Sequence, residues 1–484
     1  MKVNLARYLL MFLFLCISLT TILTPPVSAG EAEDYVVKLK KHYQKTLPIT
    51  AFSLNYHFLN TQYRSHNYWD YQTPNRYMSV RMVEFDLDKK HFYDNDIVYF
   101  SGGRLYDRAQ FQNDTESVFY EKSATTLGKR IVRRGMNNFD RYKNFIFLNV
   151  DFLAVRPLLE ETDIEGKITI HQDKNAGRTT LTHAISDDNV IDYLFSNSPL
   201  QLVSINNRSQ RGKFVYSDYQ TTRGITYART VHKYYDGAKE ATYVTFNEQF
   251  EVIDKVDPVK LQLPKGYGPA VPKSDGILVS KEIATDLYLV TDSSARRNSL
   301  FKINGDKIMV FGGSGNPTLA NKMITLILKQ FPNKKITSVY VTHPHGDQIS
   351  GLEAYVDQGA KVIADEYSID AIKAYPRFAK AIDKFKFRAL KHEQFINGAQ
   401  FYILENMHSK RQSFVHFKDS GIIFQAHFLH IPFDNTIAKV VPSYTKAFID
   451  FVRSKQLNIS RIVGNHHNNN ISVDVMNKTY DANK

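Results

Sequence analysis

The sequence predicts an α+β chain, with a β-rich antiparallel first part and a second part in which strands and helices alternate. Segments with apolar side chains at every second position follow one another from Phe52 to Ile253 with few helical interruptions. That is the period of half-buried strands. The stretch 256–272 then gathers Pro264, Pro269 and Pro272 with Gly266 and Gly268. Prolines withhold amide donors and fix φ, so this is a connector rather than a sheet interior. At 484 residues the chain exceeds a single typical core, and two domains are expected. They are residues 30–255 and 273–484, joined by the linker 256–272.

The first residues have a basic start, an apolar run from Tyr8 to Leu23, and Val27-x-Ala29 ahead of polar sequence. These are the parts of a secretory signal peptide, residues 1–29, with cleavage after Ala29. An uncleaved membrane anchor is the competing reading. The only cysteine, Cys16, lies inside the run behind Phe14-Leu15 rather than behind a small residue, which argues against a lipid-anchored cysteine. The mature chain then has no disulfide and no Cys ligand for a metal. The expected location is periplasmic or extracellular.

The net charge of +13 raises the question of nucleic acid. Lysines and arginines are scattered, however, and Lys129-Arg130 beside Arg133-Arg134 is the one dense cluster. With no basic, aromatic-laced strip, no nucleic-acid partner is expected. A solvated face accounts for the charge, with a negatively charged envelope or membrane surface, or an anionic substrate, as further readings.

In chain order, Glu31 to Lys45 carries Val36, Val37, Leu39 and Tyr43 at helical spacing. Strands are expected at Phe52–Phe58, Tyr77–Phe85 and Asp96–Phe100, then a helix at Phe152–Glu160. Further strands follow at Lys167–His171, Arg178–His183, Gln201–Ile205, Lys213–Tyr219, Thr226–Val231, Ala241–Phe246 and Phe250–Ile253. Successive antiparallel strands suggest one large curved sheet. In pattern alone, without a motif, it faintly resembles the half-barrel lipoprotein carriers of the bacterial envelope. The scattered His57, His66, His91, His171, His183 and His232 read as strand or surface histidines.

Nine of the 16 histidines fall after residue 340. Strands Leu287–Thr291, Ser299–Ile303 and Lys307–Phe311 are expected, then Gly312-Gly-Ser-Gly, a helix over Thr318–Gln330 and a strand from Lys335. That strand feeds Thr342-His-Pro-His-Gly-Asp-Gln-Ile-Ser-Gly351. His343 and His345 at alternate positions, with Asp347 two further on, leave an extended backbone in one direction. Imidazole nitrogen and carboxylate oxygen bind a borderline cation such as Zn²⁺ at about 2.0–2.2 Å.

Strand, Thr-His-x-His-x-Asp and a helix-opening glycine together resemble the metallo-β-lactamase superfamily, whose fuller motif is Thr-His-x-His-x-Asp-His-x-Gly-Gly. The resemblance implies an αββα sandwich over 273–484. It implies a first zinc on His343, His345 and His408, the last following the strand Gln400–Asn406. It implies a second on Asp347, His427 and His466, hence one or two Zn²⁺ per chain. His466 matches the closing Gly-His better than His467, and His430 is left with a surface role. The activity implied is hydrolysis of an ester, thioester, lactam or related bond by metal-bound hydroxide. Asp347 would be the catalytic carboxylate that orients it and accepts its proton, and the substrate a small or envelope-derived molecule. Three positions depart from the pattern: Gln348 replaces a histidine, Gly312 an aspartate, and His427 the bridging aspartate. They support the alternative of a catalytically degenerate metal- or ligand-binding envelope protein. The sequence is silent on oligomeric state.

Overall fold

The computed structural model describes residues 29–62, 70–73, 75–134, 138–235 and 237–484. The expected signal segment, apart from Ala29, and His66 lie outside these residues. Helix α1 (Ala29–His42) opens the described chain. Strands β1 (Ala51–Gln62), β2 (Asn75–Asp86), β3 (His91–Phe100), β4 (Arg104–Gln112), β5 (Ser117–Glu121) and β6 (Ile131–Arg134) follow. Next come α2 (Asn138–Phe147), α3 (Asp151–Ala154), α4 (Arg156–Leu159) and α5 (Ile164–Lys167). Strands β7 (Ile168–Asp173), β8 (Arg178–Ser186), β9 (Asn189–Asn197), β10 (Leu200–Asn207), β11 (Gly212–Thr222), β12 (Ile225–Tyr235) and β13 (Tyr243–Val252) complete this part. The single helix expected at 152–160 is two short ones, with Pro157 in the first turn of the second. Its ring cannot donate the amide that would continue the first.

The chain divides into two compact units. One takes in the residues up to Pro48, Val150–Ala228 and Lys233–Gly237; the other takes in Ile49–Asn149, Arg229–His232 and Ala238–Lys484. The second therefore runs unbroken through the 256–272 segment.

In the first unit α1 buries Val36 and Leu39, one helical stripe, and Tyr35 reaches Phe195 with ring centroids 6.1 Å apart. Asp151 is buried here and its Oδ1 accepts a hydrogen bond from the Ala228 amide at 2.8 Å. Burial pushes its carboxyl up to about 7, against the opposing pull of that bond.

In the second unit, seven strands in the order β6-β5-β4-β3-β2-β1-β13 pair antiparallel. Aromatic side chains stack along one face, Phe52 on Phe85 and Phe250, and Phe85 on Phe92, at 5.3–5.7 Å. Helix α2 covers them through Phe139 and Tyr142. After residue 272 two further sheets form. One is β14 (Val279–Ala284), β15 (Leu287–Thr291), β16 (Ser299–Asn304), β17 (Lys307–Phe311), β18 (Lys335–Tyr340), β19 (Lys361–Asp365) and β20 (Phe387–Leu390). The other is β21 (Gln394–Ile396), β22 (Ala399–Leu404), β23 (Gln412–Phe417), β24 (Ile422–Gln425) and β25 (Arg461–Gly464).

Leu300, Met309, Phe311 and Tyr340 of the first sheet share a core with Phe401, Val415, Phe424 and Val463 of the second. The outer face of the first packs on α6 (Pro317–Gln330), which precedes the short α7 (Gly346–Ile349), and on α8 (Leu352–Asp357) and α9 (Glu366–Lys373). The outer face of the second packs on α10 (Ser443–Ser454) and α11 (Val473–Asp481). The layers are helix, sheet, sheet, helix. Helix α11 is capped by Ser472 and anchored by buried Met476.

Connections between the antiparallel strands of the second unit also touch this sandwich. The Ser443 hydroxyl donates to the Gly102 carbonyl at 3.2 Å, and the Lys129 amide to Asp434 Oδ2 at 2.9 Å. Asp70 accepts from the Tyr367 hydroxyl at 2.9 Å and pairs with Lys410 at 3.4 Å.

Asp151 gives a test of the first unit. Its folded pKa lies above the ordinary value of 3.8, so it favours the fold below pH 4 and loses that contribution as pH rises through 7. Asp151→Asn keeps the acceptor and removes the charge. Denaturant unfolding should show the variant more stable than wild type at pH 8–9, by on the order of a few kcal/mol, with the gap closing by pH 4.

Candidate metal centre

The buried strand β18 hands over to Val341 and Thr342, and the chain then turns at His343 to enter α7, for which His345 is the N-cap residue. The turn is seated tightly. The Gly351 amide donates to the Ser314 carbonyl at 2.7 Å. A Cβ on Gly351 would lie 2.5 Å from the Asn316 carbonyl oxygen, and one on Gly315 would lie 2.8 Å from that of Asp347. Glycine is required at both because backbone meets backbone there.

His343 pairs through Nδ1 with the Thr342 hydroxyl at 2.9 Å. With Nδ1 as the donor, the lone pair of Nε2 is directed away from Thr342. That Nε2 lies 3.3 Å from His408 Nε2 and 3.1 Å from His427 Nδ1, which are themselves 3.0 Å apart. With His345 these make a group of four whose ligand atoms all fall within 4.8 Å. Four ligands at about 2.0–2.1 Å around one ion stand about 3.3–3.4 Å from each other in a tetrahedron, so the observed spacing fits a metal. His408 is placed by the loop after β22, where Asn406 Oδ1 accepts from the His408 and Ser409 amides at 2.8 and 3.2 Å. Burial first, then His345, His343 and Arg104, hold the His408 pKa well below its ordinary value. The His427 imidazole is depressed in the same way, by burial and then by His466. Both rings are neutral at pH 7, as metal ligation requires.

A second group joins Asp347, His427 and His466. Asp347 Oδ2 lies 3.2 Å from His466 Nε2 and 3.6 Å from His427 Nε2. His427 therefore differs from the sequence expectation in reaching both groups, Nδ1 to the first and Nε2 to the second. It does so from an uncommon backbone conformation, φ +67°, just past the end of β24. Burial, then Arg297, brings the His466 pKa down to about 4.

All six residues singled out in the sequence meet here. His467, the weaker match, turns its ring edge onto Phe433 at 5.3 Å instead. His430, expected at the surface, is only partly exposed: its ring stacks on His427 at 5.3 Å and 14°, and burial pulls its pKa well down. Of the scattered histidines, His57 pairs with Glu248, His91 with Asp114 and His183 with Glu161. Neither metal-like group among the described residues includes them.

Three contributors carried no signal in the sequence. Arg297, between β15 and β16, puts Nη1 3.3 Å from Asp347 Oδ2 and 3.1 Å from His466 Nε2. Tyr444 of α10 lies 5.2 Å from the His408 ring, and a Cβ on Gly102 would come within 2.9 Å of it. Asn465 fills the space beside Gly312. Gly312 has φ +73°, and a Cβ there would lie 2.8 Å from Asn465 Nδ2 and 3.0 Å from Phe424. Asn465 in turn donates to the Asn298 carbonyl at 2.7 Å.

No protein-family model matches the sequence, and no curated protein matches it. Solved structures do. One is a metallo-beta-lactamase from Hirschia baltica, with 14% identity and a TM-score of 0.33 over 43% of this chain and 97% of that one. Another is the metallo-beta-lactamase FIM-1 from Pseudomonas aeruginosa in its mono-zinc form, with 14% identity and a TM-score of 0.33 over 44% and 97%.

Gly312→Asp, which restores the residue of the superfamily pattern, should destabilise the protein by about 1–3 kcal/mol, through a strained backbone and the collision with Asn465. Chemical denaturation checks this; an unchanged midpoint would show that the space around Asn465 can open.

Proposed function

We propose that the chain is an exported zinc-dependent hydrolase. The observation that carries this is the convergence of His343, His345, His408 and His427 on one point, with the Asp347 carboxylate beside them. A bound divalent ion supplies Lewis acidity there, polarising a carbonyl or phosphoryl oxygen and acidifying water. The chain's own residues do the rest. Thr342 holds the His343 imidazole and Asn406 the His408 backbone, burial keeps His408 and His427 unprotonated, and Asp347 offers an acceptor oxygen for a proton at the edge of the group. Zinc is favoured over harder ions because the ligands are nitrogens. No Ser or Cys nucleophile is needed. The reading extends to an ester, thioester, lactam or related bond in a small or envelope-derived substrate, met outside the cytoplasm, with no nucleic-acid partner. The basic balance of the chain is compatible with association with a negatively charged membrane surface.

One observation favours a second reading. Four imidazoles about one point complete a tetrahedron, and structural zinc sites are closed in that way whereas catalytic ones keep an open position. On that reading the chain is a metal-binding envelope protein without turnover.

A panel of chromogenic ester, thioester, lactam and phosphodiester substrates separates the two. Hydrolysis lost on chelation, restored by zinc, and reduced at least about 100-fold in both His343→Ala and His408→Ala supports the enzyme. Stoichiometric zinc with no turnover on any member of the panel would turn the reading to the binder.

A further inference from the structure

We propose that the chain holds one divalent ion, on His343, His345, His408 and His427, and that the Arg297 guanidinium stands in for a second ion between Asp347 and His466. This rests on the metal-site reading above. The second group has the donor atoms for a metal, but their near side is already taken. Arg297 Nη1 lies 3.3 Å from Asp347 Oδ2, 3.1 Å from the Asp347 carbonyl oxygen and 3.1 Å from His466 Nε2. Gln348, where the superfamily pattern has a histidine, brings Nε2 to 3.1 Å from His466 Nε2 and 3.2 Å from Asp347 Oδ2. Two N–H donor groups thus converge on the same carboxylate oxygen and the same imidazole nitrogen. A guanidinium cannot give up its proton in a protein, so its charge is permanent. A divalent ion bound to those atoms would sit in contact with a fixed positive charge.

Arg297 is part-exposed, but its loop is fastened in place. Its backbone bridges to His466, and the neighbouring Asn298 amide donates to the Asn465 carbonyl at 2.8 Å. The Asn298 side-chain amide reaches the carbonyls of Gly464 and His467 at 3.0 and 2.7 Å. The loop is thereby fastened to the exit of β25, the segment that carries His466. Gly315 lets the Asp347 backbone come close beside it: a Cβ there would stand 2.8 Å from the Asp347 carbonyl oxygen, the one that Arg297 contacts. His427 closes the first group through Nδ1, so the four imidazoles need no ligand from the second.

The test is metal content, measured by elemental mass spectrometry on the chain from Gly30 after equilibration with excess zinc and removal of loosely bound ion. Wild type should carry one zinc per chain, and His466→Ala should still carry one. Arg297→Ala should carry two, and Arg297→Lys, which keeps the charge, one. His427→Ala should bind its single zinc at least 10-fold more weakly. Two zincs in wild type, falling to one in His466→Ala, would overturn the proposal, as would a single zinc in Arg297→Ala with native circular dichroism. Should Arg297→Ala not fold, wild type and His466→Ala still decide the count. No zinc in wild type would overturn the metal reading itself, and this inference with it.

Discussion

The constraint on which the C-terminal sandwich depends is that several imidazoles must share a buried space without any of them taking a proton. His343, His345, His408 and His427 have ring centroids 4.4–5.1 Å apart in five of their contacts. Charged rings at that separation in a poorly solvated interior would repel strongly. Burial, the largest cause of the depressed pKa of His408, His427 and His430, relieves this by keeping those three rings neutral. Neutral rings have lone pairs, and lone pairs brought to a common point make a cation site. The electrostatic condition for folding and the chemical condition for binding a metal are therefore the same.

Holding the lone pairs at that point is the work of strand ends. The loops that follow β18, β22, β24 and β25 each carry a contributor, and the sheets beneath are fixed by the shared core of Phe311, Tyr340, Phe401 and Phe424. The strands before residue 253 add to this from outside: Gly102 sits against Tyr444, and Tyr444 against the His408 ring. A part of the chain with no catalytic motif thus presses on a candidate ligand. The compact unit that includes the site includes these strands as well.

The sequence made some of this legible because local patterns there coincide with local causes. Alternation marked most of the strands, and the His343-x-His345-x-Asp347 spacing marked three groups on one loop. What it did not show lies in contacts between distant segments. Arg297 is one of 62 basic residues, and only the packing of its loop against β25 brings it to Asp347. Gly312 reads in the sequence as a lost carboxylate, whereas in the fold its place is filled by Asn465 from 153 positions away. His430 sits where a turn to the surface is as reasonable as a stack on His427. The division at 256–272 follows composition, and composition cannot register that β3, β4 and the Lys129 segment lie against residues beyond 430.

His427 shows how one substitution propagates. A carboxylate at that position has two oxygens and can hold two ions close together, whereas each nitrogen of an imidazole serves one partner, and the two nitrogens point apart. With Nδ1 committed to His343 and His408, Nε2 is left to face Asp347 at 3.6 Å. The first group then has a fourth nitrogen, and the second has no anionic bridge to offset the charge of another ion. Asp347 then carries the only negative charge in that group, and the Arg297 guanidinium at 3.3 Å balances it without demanding further ligands. Gln348, neutral and a donor, suits that arrangement better than a histidine would, because a histidine lone pair turned toward Arg297 and His466 would add a ligand for which no ion is left. Two of the departures from the superfamily pattern, His427 and Gln348, are thus consistent with the single cation position proposed above, with the Arg297 guanidinium beside it.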